Sequence, residues 1–97
     1  MTDDSVAGRL EPFEWNQAEA VGYEVALEVI NEAVACYSAL IARARAAGDE
    51  PEAQRLSGER SRCVERRNGL DSTDHDAVAR ITREQADLVR RLRDRLG

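Results

Sequence analysis

Apolar side chains recur along residues 23–44 at alternating spacings of four and three. This is the heptad pattern by which one helix packs against others, and no proline interrupts it. The pattern predicts a long first helix over residues 12–47, with an apolar seam that faces neighbouring helices. The seam residues are Tyr23, Leu27, Ile30, Val34, Tyr37, Ile41 and Ala44.

The start of this helix has two candidate signals. Pro12 suits the first helical position, and this is the favoured start, whereas Asn16 with Glu19 could instead form a capping box. Residues 1–11 are polar and without periodicity, so they are expected to form a disordered tail. Residues 12–97 are expected to form a single helical domain.

The end of the first helix is marked by a glycine. Gly48 offers a left-handed cap, and Asp49 with Glu52 forms a capping box that opens a second helix over residues 50–68. Because the connection is short, these two helices should run antiparallel.

A third helix is predicted over residues 73–96. Gly69 is expected to cap the second helix, with Leu70 folding back on Val64. Ser72 or Thr73 is expected to cap the third helix. The fold class is therefore all-α, a long-helix hairpin followed by a third helix.

The first helix carries an excess of apolar surface. Residues 13–41 hold 13 apolar side chains larger than Ala, whereas residues 53–97 hold only ten. On a helical wheel those of the first helix span about 200°, roughly twice what one partner helix covers. Whether the helices fold up-down-up or as a hairpin with a broken rod, the sequence predicts uncovered apolar surface. A homodimer that completes a bundle is therefore expected.

Charge divides the chain into unlike halves. The net charge is −5, but residues 1–42 carry −7 and residues 43–97 carry +2. Glu side chains of the first helix are expected to meet Arg side chains of the later helices within the bundle. An acidic face left open for a basic partner is the alternative.

The candidate interaction surface lies on the first helix. Ala18, Gly22 and Ala26 repeat every four residues and form a ridge of small side chains that another helix could approach closely. Close packing within the chain would explain the ridge equally well. Aromatic residues, which dominate interface hot spots, lie beside it. The predicted interaction residues are Phe13, Trp15, Ala18, Gly22, Tyr23, Ala26, Leu27 and Ile30.

No catalytic residue, metal ligand or cofactor site is predicted. Glu24, Glu28 and Glu32 recur every four residues, but a bundle metal site needs partner carboxylates and histidines that the spacing does not supply. The only histidine, His75, lies among acidic residues at a helix start, where acids serve as caps. These residues are expected to be solvated.

The two cysteines are expected to be reduced core thiols. If the first two helices fold back about residue 48, Cys63 comes within reach of Cys36, so a redox pair is the alternative. No Cys-x-x-Cys spacing supports it.

Nucleic-acid binding is not expected, although the third helix is rich in Arg. Arg80 with Glu84 and Asp87 with Arg91 are spaced as ion pairs within the helix, and the whole chain is acidic.

A membrane location is not expected either. No stretch is judged to approach the roughly 20 apolar residues that span a bilayer, and the N-terminal residues are acidic. The sequence favours a cytoplasmic protein.

These observations favour a non-enzymatic function. The chain is expected to be a small protein–protein interaction module, such as an adaptor, a regulator or an antitoxin-like or immunity-like binder, with an unknown protein partner. The alternative is a nucleic-acid-binding regulator that uses the Arg of the second and third helices. A small enzyme with a bundle pocket lined by Tyr23, Tyr37 and Gln85 ranks third.

Overall fold

A computed structural model describes the backbone of residues 12–97 and the side chains of residues 22–97. It contains three helices, α1 (Pro12–Ala46), α2 (Glu50–Gly69) and α3 (His75–Leu96). The all-α prediction is confirmed, and each predicted boundary lies within two residues of the observed one. The helix begins at Pro12 rather than at Asn16. The tail predicted for residues 1–11 lies outside the described residues.

The turn between α1 and α2 forms as its residues predict. Gly48 has a φ of 75°, and the N–H of Asp49 donates to the carbonyl of Ala44 at 2.8 Å, which closes a Schellman motif. The carboxylate of Asp49 then accepts the N–H of Glu52 at 3.1 Å and caps α2. Two local signals therefore fix the reversal of the chain.

The caps of the second turn differ from the prediction. Gly69 is the last residue of α2 and not its cap, which is Leu70 in an extended conformation. The cap of α3 is Asp74, whose carboxylate accepts the N–H of Ala77 at 3.1 Å. The predicted caps Ser72 and Thr73 stay outside the helix.

Asp71 explains why α3 begins late. Its carboxylate accepts the N–H of Thr73 at 2.9 Å and the hydroxyl of Thr73 at 2.8 Å. This local turn competes with helix formation, so the helix starts only after Asp74. The same two bonds hold the pKa of the Asp71 carboxyl below its usual value.

The helices are arranged up-down-up. Near the start of α3, Val78 packs with Ala26, and near its end the guanidinium of Arg43 donates to the carbonyls of Arg95 and Leu96. The third helix therefore runs parallel to α1. The broken-rod arrangement that the sequence left open does not occur.

The second and third helices lie on two different sides of α1. On one side, α2 reaches it through hydrogen bonds from Arg60 to Ser38 at 3.0 Å and from Arg67 to Asn31 at 2.7 Å. On the other side, Arg93 of α3 pairs with Glu32. No Cα atom of α2 lies within 8 Å of one in α3. The long helix is thus the centre of the fold, and the other two contact each other only through long side chains.

Small side chains let both helices approach α1 closely. Ala33 of α1 and Ala53 of α2 are completely buried, beside the large buried side chains of Ile30 and Leu56. The core therefore interleaves alanines with large residues, which packs helices closely without voids. Its buried members are Ile30, Ala33, Cys36, Tyr37, Leu40, Ile41, Ala44, Ala53, Leu56, Cys63, Val89 and Leu92.

A second, smaller cluster closes the end of the bundle at which α2 connects to α3. Leu70 packs with Ala26 and Val78, and the half-buried Tyr23 lies against them. Leu70 was predicted to contact Val64 instead, but its extended backbone directs it across to the other two helices. In this cluster side chains of α1 and α3 meet Leu70, the residue that follows α2.

Candidate interaction site on the first helix

The predicted interaction surface is divided by the structure. The helical backbone of α1 includes Phe13, Trp15 and Ala18, whose side chains lie outside the described part of the chain. The remaining predicted residues separate into covered and accessible positions.

Ala26 and Ile30 are covered by the chain's own helices. Each has no exposed surface, Ala26 in the small cluster and Ile30 in the main core. At Ala26 the small side chain therefore serves close packing within the chain, which was the alternative explanation of the ridge.

Gly22, Tyr23 and Leu27 remain half-buried. A Cβ atom placed on Gly22 would meet no heavy atom within 4 Å, so at this position the ridge faces open space. Val25 is 42% exposed and is the one large apolar side chain among residues 22–97 classed as exposed. Much of the accessible apolar surface in the described part of α1 therefore lies near residues 22–27.

The helix continues beyond this level. Pro12–Val21 adds ten residues to α1 on the N-terminal side of Gly22, which corresponds to about 15 Å of helix. We call this segment the arm. It extends away from the contact between Ala26 and Leu70, toward the end at which the described bundle stops.

Acidic side chains dominate this part of α1. Residues 10–42 contain six Glu and no Arg or Lys. Glu24 and Glu28 are exposed and have no ion pair with a described residue, whereas Glu32 pairs with Arg93 of α3. Among the α1 carboxylates whose side chains are described, the expected pairing with later arginines therefore holds at Glu32 alone. Among residues 22–97, no group of three or more His, Cys, Asp or Glu could hold a metal ion.

An ion network crosses all three helices at the other end. The buried hydroxyl of Tyr37 donates to Glu59, and Arg55 pairs with both Glu59 and Glu52. Arg95 of α3 reaches Glu52 at 3.1 Å. Burial, and then the hydrogen bond to Glu59, raise the pKa of Tyr37 to about 12. The network therefore joins α1, α2 and α3.

The ion pairs predicted within α3 are replaced by others. Glu84 pairs with Arg66 of α2 at 3.4 Å rather than with Arg80, and Asp87 pairs with Arg90 rather than with Arg91. Consequently Arg80 and Arg91 have no ion pair among the described residues. Sequence spacing could not reveal the partner of Glu84, because that pair depends on the register between α2 and α3, and it allowed either Arg90 or Arg91 as the partner of Asp87.

The sequence analysis also missed Arg62 as a candidate contact residue. It has no ion pair within the described part of the chain and lies four residues before Arg66, on the same side of α2. The spacing along α2 places Arg62 on the same side as Arg66, but only the structure shows that α3 lies beside that side of α2.

The core contains one polar pair. The thiol of Cys63 donates to the side-chain oxygen of Gln85 at 3.7 Å, and both residues are buried. Burial raises the pKa of the Cys63 thiol. Cys36 and Cys63 are free thiols, so no disulfide joins them.

The residues suggested for an enzyme pocket do not form one polar site. Tyr37 and Gln85 are buried and already hydrogen-bonded, and Tyr23 lies in the small cluster. His75 is the first residue of α3, directly after the Asp74 cap. This arrangement assigns no nucleophile or base.

One stretch of α1 has the length and composition of a membrane span. Gly22–Ala46 is 25 residues long and has a mean hydropathy of 1.6. By length and composition, the expectation that no stretch approaches a membrane span is therefore wrong. A core helix in a soluble bundle meets the same criterion, and the apolar side of this helix packs on α2 and α3. The finding is therefore weak evidence for a membrane location.

Comparison of the chain with protein-family models, with curated proteins and with solved structures gives no match. The surfaces of the chain itself therefore provide the evidence for its function.

Proposed function

We propose that the chain is a small helical protein–protein interaction module, an adaptor, regulator or antitoxin-like or immunity-like binder, rather than an enzyme. The observation that supports this most directly is the continuation of α1 as the arm, beyond the level at which Leu70 packs on Ala26. The sequence of the arm includes Phe13 and Trp15, and a helix with apolar anchors of this kind is suited to a groove on a partner.

We also propose that the chain forms a homodimer through this end of α1. Between Ala26 and Ala44, α2 and α3 bury the core positions of the helix, whereas Leu27, Val29 and Val34 stay half-buried. These accessible positions, with the apolar residues in the sequence of the arm, support the proposed dimer.

Light scattering after size exclusion tests the dimer. We expect a mass near twice 10.8 kDa at micromolar concentration, because the arm adds apolar surface that a second copy can cover. A monomer of 10.8 kDa at high concentration would contradict the proposal.

Substitution of Trp15 tests the arm itself. We expect Trp15→Ala to weaken association by about 1–2 kcal/mol while leaving helicity nearly unchanged, because tryptophan is typical of interface hot spots. Circular dichroism and sedimentation measure the two effects. A large loss of thermal stability, or unchanged association, would show that Trp15 has a structural role instead.

Nucleic-acid binding remains the competing function. Most arginines of α2 and α3 already contact acidic or polar groups of the chain, and the net charge is −5. We expect no sub-micromolar affinity for duplex DNA at physiological salt, because phosphate binding needs unpaired cations and weakens with salt. Fluorescence anisotropy measures it. Tight binding that is lost on replacing Arg90 and Arg91 would favour the competing function.

A cytoplasmic location is part of the proposal. It rests on the packing of the apolar side of α1 within the bundle. Fractionation of cells that express the chain tests it, and recovery with the membranes would contradict it.

A further inference from the structure

We infer that the arm of one copy docks on the edge between α2 and α3 of a second copy. This inference rests on the proposed dimer and names the surface that receives the arm. We define the α2–α3 edge by the residues that the two helices present to each other: Glu52, Arg55, Glu59, Arg62 and Arg66 of α2, and Glu84, Leu88, Arg91 and Arg95 of α3.

The charge of the arm excludes the simplest dimer. Glu14 and Glu19 lie within the arm, Glu11 and Glu24 flank it, and no basic residue occurs between residues 10 and 42. Two arms packed side by side would bring like charges together, which destabilises neighbouring helices. The arm therefore requires a surface of the opposite sign on the second copy.

The α2–α3 edge is the surface that offers this charge. It carries five Arg and three Glu. The pair Arg66 with Glu84 at 3.4 Å lies near one end of the edge, and the pair Arg95 with Glu52 at 3.1 Å lies at the other. These pairs leave an excess of positive charge between them.

That excess has two identified sources. Arg62 lies one turn from Arg66, and Arg91 lies seven residues, or two turns, beyond Glu84. Both side chains are exposed, and neither has an ion pair among residues 22–97. They are thus free to pair with carboxylates of a docked helix.

The dimensions of the edge also fit the arm. From Glu52 to Arg66 the edge is about 21 Å long, and the arm is about 15 Å long. No Cα atom of α2 lies within 8 Å of one in α3, and the two ion pairs bridge the helices at the ends of the edge. The half-buried Leu88 offers an apolar contact on the α3 side.

Each copy has one arm and one edge, so the docking is reciprocal. Two such contacts related by a twofold axis close a dimer and leave no unsatisfied arm. The two copies then bury each other's aromatic and acidic residues without direct contact between the arms.

A charge-swap series tests the inference by sedimentation at physiological salt. We expect Arg62→Glu with Arg91→Glu to weaken the dimer about tenfold or more, and Glu14→Arg with Glu19→Arg to do the same. Combining all four substitutions should restore most of the affinity, because the opposite charges then face each other again. Circular dichroism verifies that each variant is folded.

A matched control uses the outer face of α3. Arg83→Glu with Arg90→Glu makes the same change in net charge away from the edge, and it should change the affinity by less than about twofold. If edge reversal has no effect while Trp15→Ala weakens the dimer, the inference is wrong and the proposed function stands. A monomeric native chain contradicts both the inference and the proposed dimer. Equal weakening by edge and control variants, without rescue, also overturns the inference.

Discussion

The two parts of α1 differ in what surrounds them. From Ala26 to Ala44 the helix lies between α2 and α3, and most of the apolar positions on its inner side are buried. From Pro12 to Val21 the same helical backbone continues beyond the small cluster. The heptad pattern therefore identifies the apolar face of α1, whereas the lengths of α2 and α3 decide how much of that face is covered. Stability and recognition can therefore be assigned to different lengths of one helix.

The largest expected effect comes from a charge in the covered length. Ile30 has no exposed surface, so Ile30→Glu would bury an unpaired carboxylate, and we expect it to lower the free energy of unfolding by about 4 kcal/mol or more. Urea denaturation followed by circular dichroism measures the effect.

Val25 is the control for this substitution. It lies five residues away on the same helix and is 42% exposed. We expect Val25→Glu to lower the free energy of unfolding by about 0.5 kcal/mol or less, as for most surface changes. Equal losses at both positions would mean that the two parts of α1 are not differently covered.

A smaller effect is expected at the two tyrosines. Tyr37 is buried and donates to Glu59, so Tyr37→Phe should lower the free energy of unfolding by about 1 kcal/mol. The equivalent change of the half-buried Tyr23 should have less effect. Thermal unfolding of the two variants tests this order, and a larger loss at Tyr23 would contradict it.

The pKa of Tyr37 adds a prediction for alkaline pH. Its folded-state value of about 12 lies above the ordinary value of 10, so the neutral hydroxyl stabilises the fold fully below pH 10. This contribution is lost as the pH rises through about 12. Ultraviolet absorbance should show a tyrosine that ionises near pH 12 in the native chain and not in Tyr37→Phe.

The smallest effect is expected in acid. Hydrogen bonds from Arg55, and then from Arg95, lower the pKa of Glu52 from 4.5 to about 2. Its contribution to stability is therefore present above pH 4.5 and is lost as the pH falls toward about 2. As the pH falls from 4.5 to about 2, we expect the melting temperature of Glu52→Gln to decrease less than that of the native chain. Glu65→Gln, on the outer face of α2, is the control, and an equal change there would contradict the assignment to Glu52.

The sequence predicted the covered part of the fold better than its surfaces. Gly48 and Asp49 act on residues next to them in the chain, so their roles could be predicted correctly. The cap of α3 could not, because all four residues from 71 to 74 are of types that cap helices. In the folded turn Asp71 accepts the N–H of Thr73, and Asp74 accepts the N–H of Ala77. Local competition of this kind is decided only in the folded turn.

The candidate interaction site on α1 could also be predicted only in part. The periodicity of α1 indicated which face is apolar, and it correctly gave an arc wider than one helix covers. It could not show that Ala26 and Ile30 would be buried by the chain itself, because that depends on where α2 and α3 lie. The sequence did not indicate Arg62 for a related reason, and it paired Arg91 with Asp87, which instead pairs with Arg90.

The two buried thiols can report how often the helices of the bundle open locally. Cys36 lies on α1 and Cys63 on α2, both within the main core. A thiol reagent can reach either sulfur only when the helices separate transiently, so the labelling rate reports the frequency of that opening. Because these residues belong to the native sequence, the kinetics of opening can be followed without an introduced probe.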